Sequence, residues 1–156
     1  MRYSVMELQA FANQIYGGRP LVLTPYGYTV TFSGITASAS QTQTLSITAN
    51  ADFILTQIKS RTSDGTLQTI SNKNAPYYRL LIVDSGTNEQ FTNSATDTEN
   101  FTTNGNTQQG LLPYPRFIAG RTALTLTLNE YRGVAATQNI DVYLEGLLCR
   151  TYSGQA

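Results

Sequence analysis

Ala123-Leu124-Thr125-Leu126-Thr127-Leu128-Asn129 and Asn139-Ile140-Asp141-Val142-Tyr143-Leu144-Glu145-Gly146 decide the fold class of this chain. In the first run leucine takes every other position with threonine between. In the second, Ile140, Val142 and Leu144 alternate with Asp141, Tyr143 and Glu145. A period of two belongs to an extended strand with one face buried and the other turned to solvent or a partner. Threonine suits the outer positions, because a β-branched side chain loses little rotamer freedom on a pleated surface. With the preceding Pro113-Tyr114-Pro115-Arg116-Phe117-Ile118-Ala119-Gly120, these runs read as the back half of an all-β sandwich.

Toward the N-terminus the same signals recur. Leu21-Val22-Leu23 and Tyr28-Thr29-Val30-Thr31-Phe32 read as short strands joined by a turn at Pro25-Tyr26-Gly27. Thr44-Leu45-Ser46-Ile47-Thr48 alternates, and Asp52 to Lys59 is apolar at first and then polar. Asp64-Gly65 marks a turn, and Tyr77 to Val83 is apolar on both faces near its end, as a central strand is. About eight strands with irregular connections predict a single-domain, jelly-roll-like β-sandwich over residues 19–156 rather than an up-and-down barrel. No repeat of solenoid or propeller period is present.

Residues 1–18 stand apart. Ser4 and Glu7 have capping-box spacing, Val5, Leu8, Ala12 and Ile15 recur at three and four residues, and Gly17-Gly18 supplies a stop. The spacing predicts a short amphipathic helix over about residues 5–15. It either covers an open end of the sandwich or serves as an arm that docks on a neighbouring subunit. A second departure is the polar stretch at about 84–110, broken only by Phe91 and Phe101. A connection that long inside a compact domain is unusual and often functional. Short turns or strands around the two phenylalanines are expected to pin it to the sandwich surface.

Charged residues make up 13% of the 156, against about 25% in an ordinary soluble domain, and Thr, Ser, Asn and Gln fill the gap. Such a surface is common on β proteins packed against copies of themselves or a larger assembly. Ten basic residues balance ten acidic ones with no basic run, so no long-range field steers the chain toward nucleic acid or an anionic bilayer. No apolar run approaches the ~18 residues of a membrane span. The start lacks the features of a signal peptide, which implies synthesis in a cytoplasm-like compartment.

The single cysteine, Cys149, excludes an intramolecular disulfide and reads as a small apolar core residue. There is no histidine, which removes the commonest general base, triad proton carrier and metal ligand. Asp52, Asp84, Glu130, Asp141 and Glu145 leave a glycosidase-like carboxylate pair arithmetically possible, but they read as outward-facing polar residues. Asp84 to Glu89 is oxygen-rich without the ligand order of an EF-hand. Ten tyrosines raise a carbohydrate-stacking platform, although most fall on or beside strands, where a buried ring with a satisfied hydroxyl is usual. The expectation is a chain with no catalytic residues, no metal and no cofactor.

Ala51-Asp52-Phe53-Ile54-Leu55-Thr56, Tyr78-Arg79-Leu80-Leu81-Ile82-Val83-Asp84, the segment Pro113 to Arg121, the Leu/Thr strand ending in Asn129, and Ile140 to Gly146 follow one another in a recognisable order. The series resembles small virion proteins of tailed bacteriophages that decorate or cement the capsid or sit as accessory proteins around the head. The likeness spans residues 50–152 and leaves the N-terminal segment out. It implies a β-sandwich subunit without enzymatic activity, forming a homodimer or homotrimer and bound to the major capsid protein on the outside of the virion, after synthesis in the host bacterial cytoplasm. A neck, collar or tail accessory protein, a carbohydrate-binding host-attachment module and a hydrolase remain as other readings.

The resemblance fixes no contact residues, so these come from physical argument. Partner contacts are expected on the helix face Val5, Leu8, Phe11 and Ile15, on the polar excursion at Phe91 and Phe101, and at Tyr114 and Arg116. In the last segment two prolines stiffen the chain and remove ladder donors, as at an edge or an exposed loop.

Overall fold

The computed structural model describes residues 3–64, 78–98, 102–103, 111–131 and 137–151. A helix, α1 (Val5–Tyr16), precedes β1 (Leu21–Ile35), β2 (Ser40–Ser46), β3 (Asp52–Asp64) and β4 (Tyr78–Asp84). Three two-residue strands follow, β5 (Glu89–Gln90), β6 (Thr96–Asp97) and β7 (Thr102–Thr103). Then come β8 (Leu111–Ile118), β9 (Ala123–Glu130) and β10 (Gln138–Thr151).

Pairing is nested. β1 pairs with β10, β2 with β9, β3 with β8 and β4 with β5, all antiparallel, as in one long hairpin. Rolling that hairpin adds the contacts β10 to β3 and β9 to β4. The result is two sheets, β1-β10-β3-β8 and β2-β9-β4-β5, with β7 beside β3 and β6 beside β4. Successive long strands therefore alternate between sheets, which is the jelly-roll arrangement expected from the strand pattern.

The alternation read from the sequence maps onto the two faces. Leu124, Leu126 and Leu128 on β9 and Ile140, Val142 and Leu144 on β10 point between the sheets and are at most 1% exposed. They meet Phe32, Phe53, Leu55, Tyr78, Leu80 and Ile82 in one core cluster. Each such side chain contributes about 1.5–3 kcal/mol on full burial. On the opposite face Thr127 lies 3.2 Å from Thr42 of β2, hydroxyl to hydroxyl. That cross-strand pair adds a few tenths of a kcal/mol to about 1 kcal/mol.

Two local readings are corrected. Pro25-Tyr26-Gly27 is no turn, since β1 runs straight through it, with Pro25 opposite Leu147 and Gly27 opposite Glu145. β1 is the outer strand of its sheet, and an outer strand tolerates a residue without an N–H. In β3 the inward set changes parity, from Phe53 and Leu55 to Ile58. The cause is a bulge: Leu55 pairs with Gly146 and Gln57 with Glu145, leaving Thr56 as the extra residue. Its hydroxyl donates to the Glu145 carbonyl at 3.1 Å, tying the extra residue to the neighbouring strand.

α1 carries both bonds of its capping box: Glu7 N–H donates to Ser4 Oγ at 3.2 Å and Ser4 N–H to Glu7 Oε2 at 2.7 Å. Hydrogen bonding from Ser4, its backbone N–H first, holds the Glu7 carboxyl below its ordinary range. Gly17, at φ 64°, ends the helix in the left-handed conformation. The helix covers the outer face of the first sheet, not an open end of the sandwich. Phe11 and Ala12 pack there on Ile54 and Cys149, with Leu21, Leu23, Phe117 and Leu147 around them. Those outward apolar side chains give the helix its seat. No helix among the described residues is long and apolar enough to cross a membrane.

Candidate docking surface

Three of the residues singled out in the sequence meet on one rim. β8 pairs with β3 along Phe53 to Gln57 and carries Tyr114 and Arg116. β5 forms the short outer hairpin on β4, and the Phe91 N–H donates to the Ile82 carbonyl at 2.9 Å just beyond it. The Arg116 guanidinium stands 4.1 Å over the Phe91 ring, and its Nη2 donates to Glu89 Oε2 at 3.0 Å. The two sheets are thus bridged at their open edges by a stacked and paired arginine. The planar, always-charged guanidinium is suited to this double contact.

The rim continues onto α1. Phe11 meets the Tyr114 ring edge-on at 5.1 Å between centroids, and the Tyr3 hydroxyl donates to the Leu112 carbonyl. Tyr114 is held from behind and remains 63% exposed. An exposed aromatic side chain that is already positioned loses little entropy when a partner covers it. Val5 and Met6 project from the first turn of the helix at 70% and 79% exposure. Met6 escaped the sequence reading because it lies off the three-and-four stripe that marks the docked face.

Behind Arg116 and Phe91 a cleft of about 340 Å³ runs between the sheet edges to Ile58, Leu80 and Ile82. A second groove of about 610 Å³ lies between α1 and β1, where Val5 and Leu8 face Leu21, Leu23 and Leu147. Leu8 is half-buried at this groove, and Ile15 is 38% exposed. Phe11 differs from the expectation: it is turned inward at 9% exposure and supports Tyr114 instead of offering its own face. Phe101 lies outside the described residues.

Four of the five carboxylates considered as catalytic candidates are engaged in the fold. Asp52 accepts from the Tyr16 hydroxyl and from the Gly120 N–H at 2.7 Å, fastening the end of α1 and the β8–β9 turn to the start of β3. Burial, reinforced by the bond to Asp52, pushes the Tyr16 phenol well above its ordinary value. Asp84 Oδ1 accepts from the N–H groups of Gly86 at 2.8 Å and Thr87 at 3.3 Å, closing its own turn. Glu130 accepts from the Ser38 N–H at 2.5 Å. Glu145 pairs with Lys59 at 2.8 Å on the outer face, which it shares with Asp141. Among the described residues no three potential metal ligands gather. Cys149 is buried under α1, and that burial raises its thiol pKa.

No family model matches this chain, and no curated protein matches it.

Proposed function

We propose that the chain is a structural virion protein that binds the outside of a tailed-phage capsid as a decoration protein and stabilises the shell by bridging major capsid protein subunits. The single observation that carries the docking part is the convergence of Tyr114, Arg116 and Phe91 on one exposed rim beside the apolar first turn of α1. The kind of partner comes from the resemblance over residues 50–152. Adhesion to an assembled shell suits such a surface, because a protein that binds only the assembled state stabilises it through linkage. The near-absence of net charge lets copies sit close together without repulsion. A twofold or threefold association of the chain accompanies this reading.

Copy counting by mass spectrometry, on virions made from the genome that encodes the chain, tests the proposal. Copies matching the symmetry sites of the shell are expected. A number matching one ring at a single vertex moves the chain to the neck or collar, and its absence from particles ends the reading. Tyr114→Ala is expected to weaken binding to undecorated shells about tenfold or more, as truncation of an interface anchor does. Its melting temperature should stay near that of the parent, since the ring is mostly exposed.

A further inference from the structure

The cleft behind Arg116 has the make-up of a ligand site, and its walls and mouth specify the ligand. Its floor is the inter-sheet core itself: Ile58 and Ile82 are 2% exposed and Leu80 is fully buried, with Leu112 along one side. These walls are aliphatic and offer no hydrogen-bonding side chain. Among the described residues, polar side-chain groups come only from the mouth, where Thr92, Tyr114 and Arg116 stand. At about 340 Å³ the cleft falls at the lower end of the ~300–1,000 Å³ typical of ligand pockets. It therefore suits a medium-length alkyl chain better than a long one.

Among the described residues, Arg116 is the only charged one lining the cleft. Its guanidinium is fixed by stacking on Phe91, so it is already oriented before any ligand arrives. Of its five N–H donors, one on Nη2 is taken by Glu89. The Glu89 side chain is 68% exposed, so this pair is a weak surface one that another carboxylate can share or replace. A fixed cation at the end of an aliphatic slot is complementary to an alkyl chain ending in a carboxylate, which a guanidinium can hold by two parallel bonds.

We infer that this cleft binds a medium-chain aliphatic carboxylate, with the alkyl chain between the sheet edges and the head group on Arg116. The site does not rest on the virion reading, because it is measured on the isolated chain with no particle present.

Isothermal titration of the purified full-length chain with decanoate, and with decanol as the uncharged control, tests the inference. Saturable one-to-one binding below the micelle-forming concentration is expected, with decanol bound about tenfold more weakly or worse. Arg116→Gln should remove that preference for the acid. Glu89→Gln should tighten decanoate by up to about fivefold, since the competing carboxylate is gone. Thr92→Phe, which narrows the mouth without touching the core floor, should abolish binding of both compounds while leaving the melting temperature near the parent's. No saturable binding to the parent chain, equal affinity for decanol, or undiminished binding in Arg116→Gln or Thr92→Phe overturns it.

Discussion

The carbonyl oxygen of Ile54 fills the space in which a Cβ on Gly146 would stand. Gly146 sits opposite the β3 bulge, where Leu55 takes the pairing that regular register would give to Thr56. Before the bulge, ordinary alternation turns Ile54 toward α1 and keeps Phe53 and Leu55 in the inter-sheet core, and after it Ile58 faces inward instead.

Gly146→Ala is therefore expected to destabilise strongly, at or beyond the upper end of the ~1–3 kcal/mol typical of overpacking, because a carbonyl in a paired strand cannot move aside. Gly27→Ala is the comparison. Its Cβ would meet the Tyr143 ring, the end of a half-exposed side chain that can swing outward. Denaturant melts should rank Gly146→Ala well below Gly27→Ala, and Gly27→Ala/Tyr143→Ala should recover part of the smaller loss. An equal cost for the two single changes would contradict this account of the bulge.

The alternation along β9 makes a paired prediction. Leu126→Ala removes a fully buried side chain between the sheets and should cost about 2–5 kcal/mol. Thr125→Ala, its neighbour on the outer face, should stay within about 0.5 kcal/mol of the parent, as ordinary surface changes do. Equilibrium unfolding in urea compares them directly. A similar loss at both positions would mean that the outer face of the second sheet is packed against something.

That contrast marks what was legible in the sequence. Leu124, Leu126 and Leu128 announce a half-buried strand because period two is a property of the chain alone. Ser4 and Glu7 announce the helix start for the same reason, their bonds being local. Pro25-Tyr26-Gly27 misleads, since what permits a strand there is the outer position of β1 and the Tyr143 ring over Gly27, both set by distant residues. The parity change in β3 depends on its pairing with β10 and leaves no mark in the order of apolar residues. The rim divides in the same way. Tyr114 and Arg116 stand out beside their prolines, but the meeting of Arg116 with Phe91 and of Tyr114 with Phe11 follows from sheet topology.

Cys149 reports on the seating of α1. The thiol is 1% exposed and its pKa is raised, so it should resist labelling by a thiol reagent at pH 8 in the folded chain. Phe11→Ala loosens the helix and should speed labelling while the inter-sheet core remains folded. Removal of residues 1–18 goes further, uncovering Ile54, Phe117 and Leu147 together with Cys149. The truncated chain should label quickly and self-associate, so the role of α1 in docking is better read from Met6→Glu, which leaves the seat covered. Slow labelling of the truncated chain would show that another segment covers that face.

Alkaline stability tests Tyr78 and Tyr16, whose phenols are held neutral. Burial, with the nearby Glu130 carboxylate adding to it, raises Tyr78 above its ordinary value of 10.0, and burial with the bond to Asp52 does the same for Tyr16. In the unfolded chain both lose their protons near pH 10, while in the folded chain they keep them. Above about pH 10 the unfolded state therefore binds fewer protons, and stability falls as pH rises. The stabilisation is complete below that pH and is lost progressively on the way to the raised folded values. Tyr78→Phe should cost about 1–3 kcal/mol at pH 7, because Gln138, 4% exposed, loses the hydroxyl it pairs with. The same change should flatten the decline above pH 10, since one of the groups that drive it is gone. Tyr16→Phe leaves Asp52 its bond to Gly120 and should cost less at pH 7 while flattening the decline in the same way. Urea midpoints measured from pH 7 to 11 on the three chains decide the matter, and parallel curves for all three would refute the assignment.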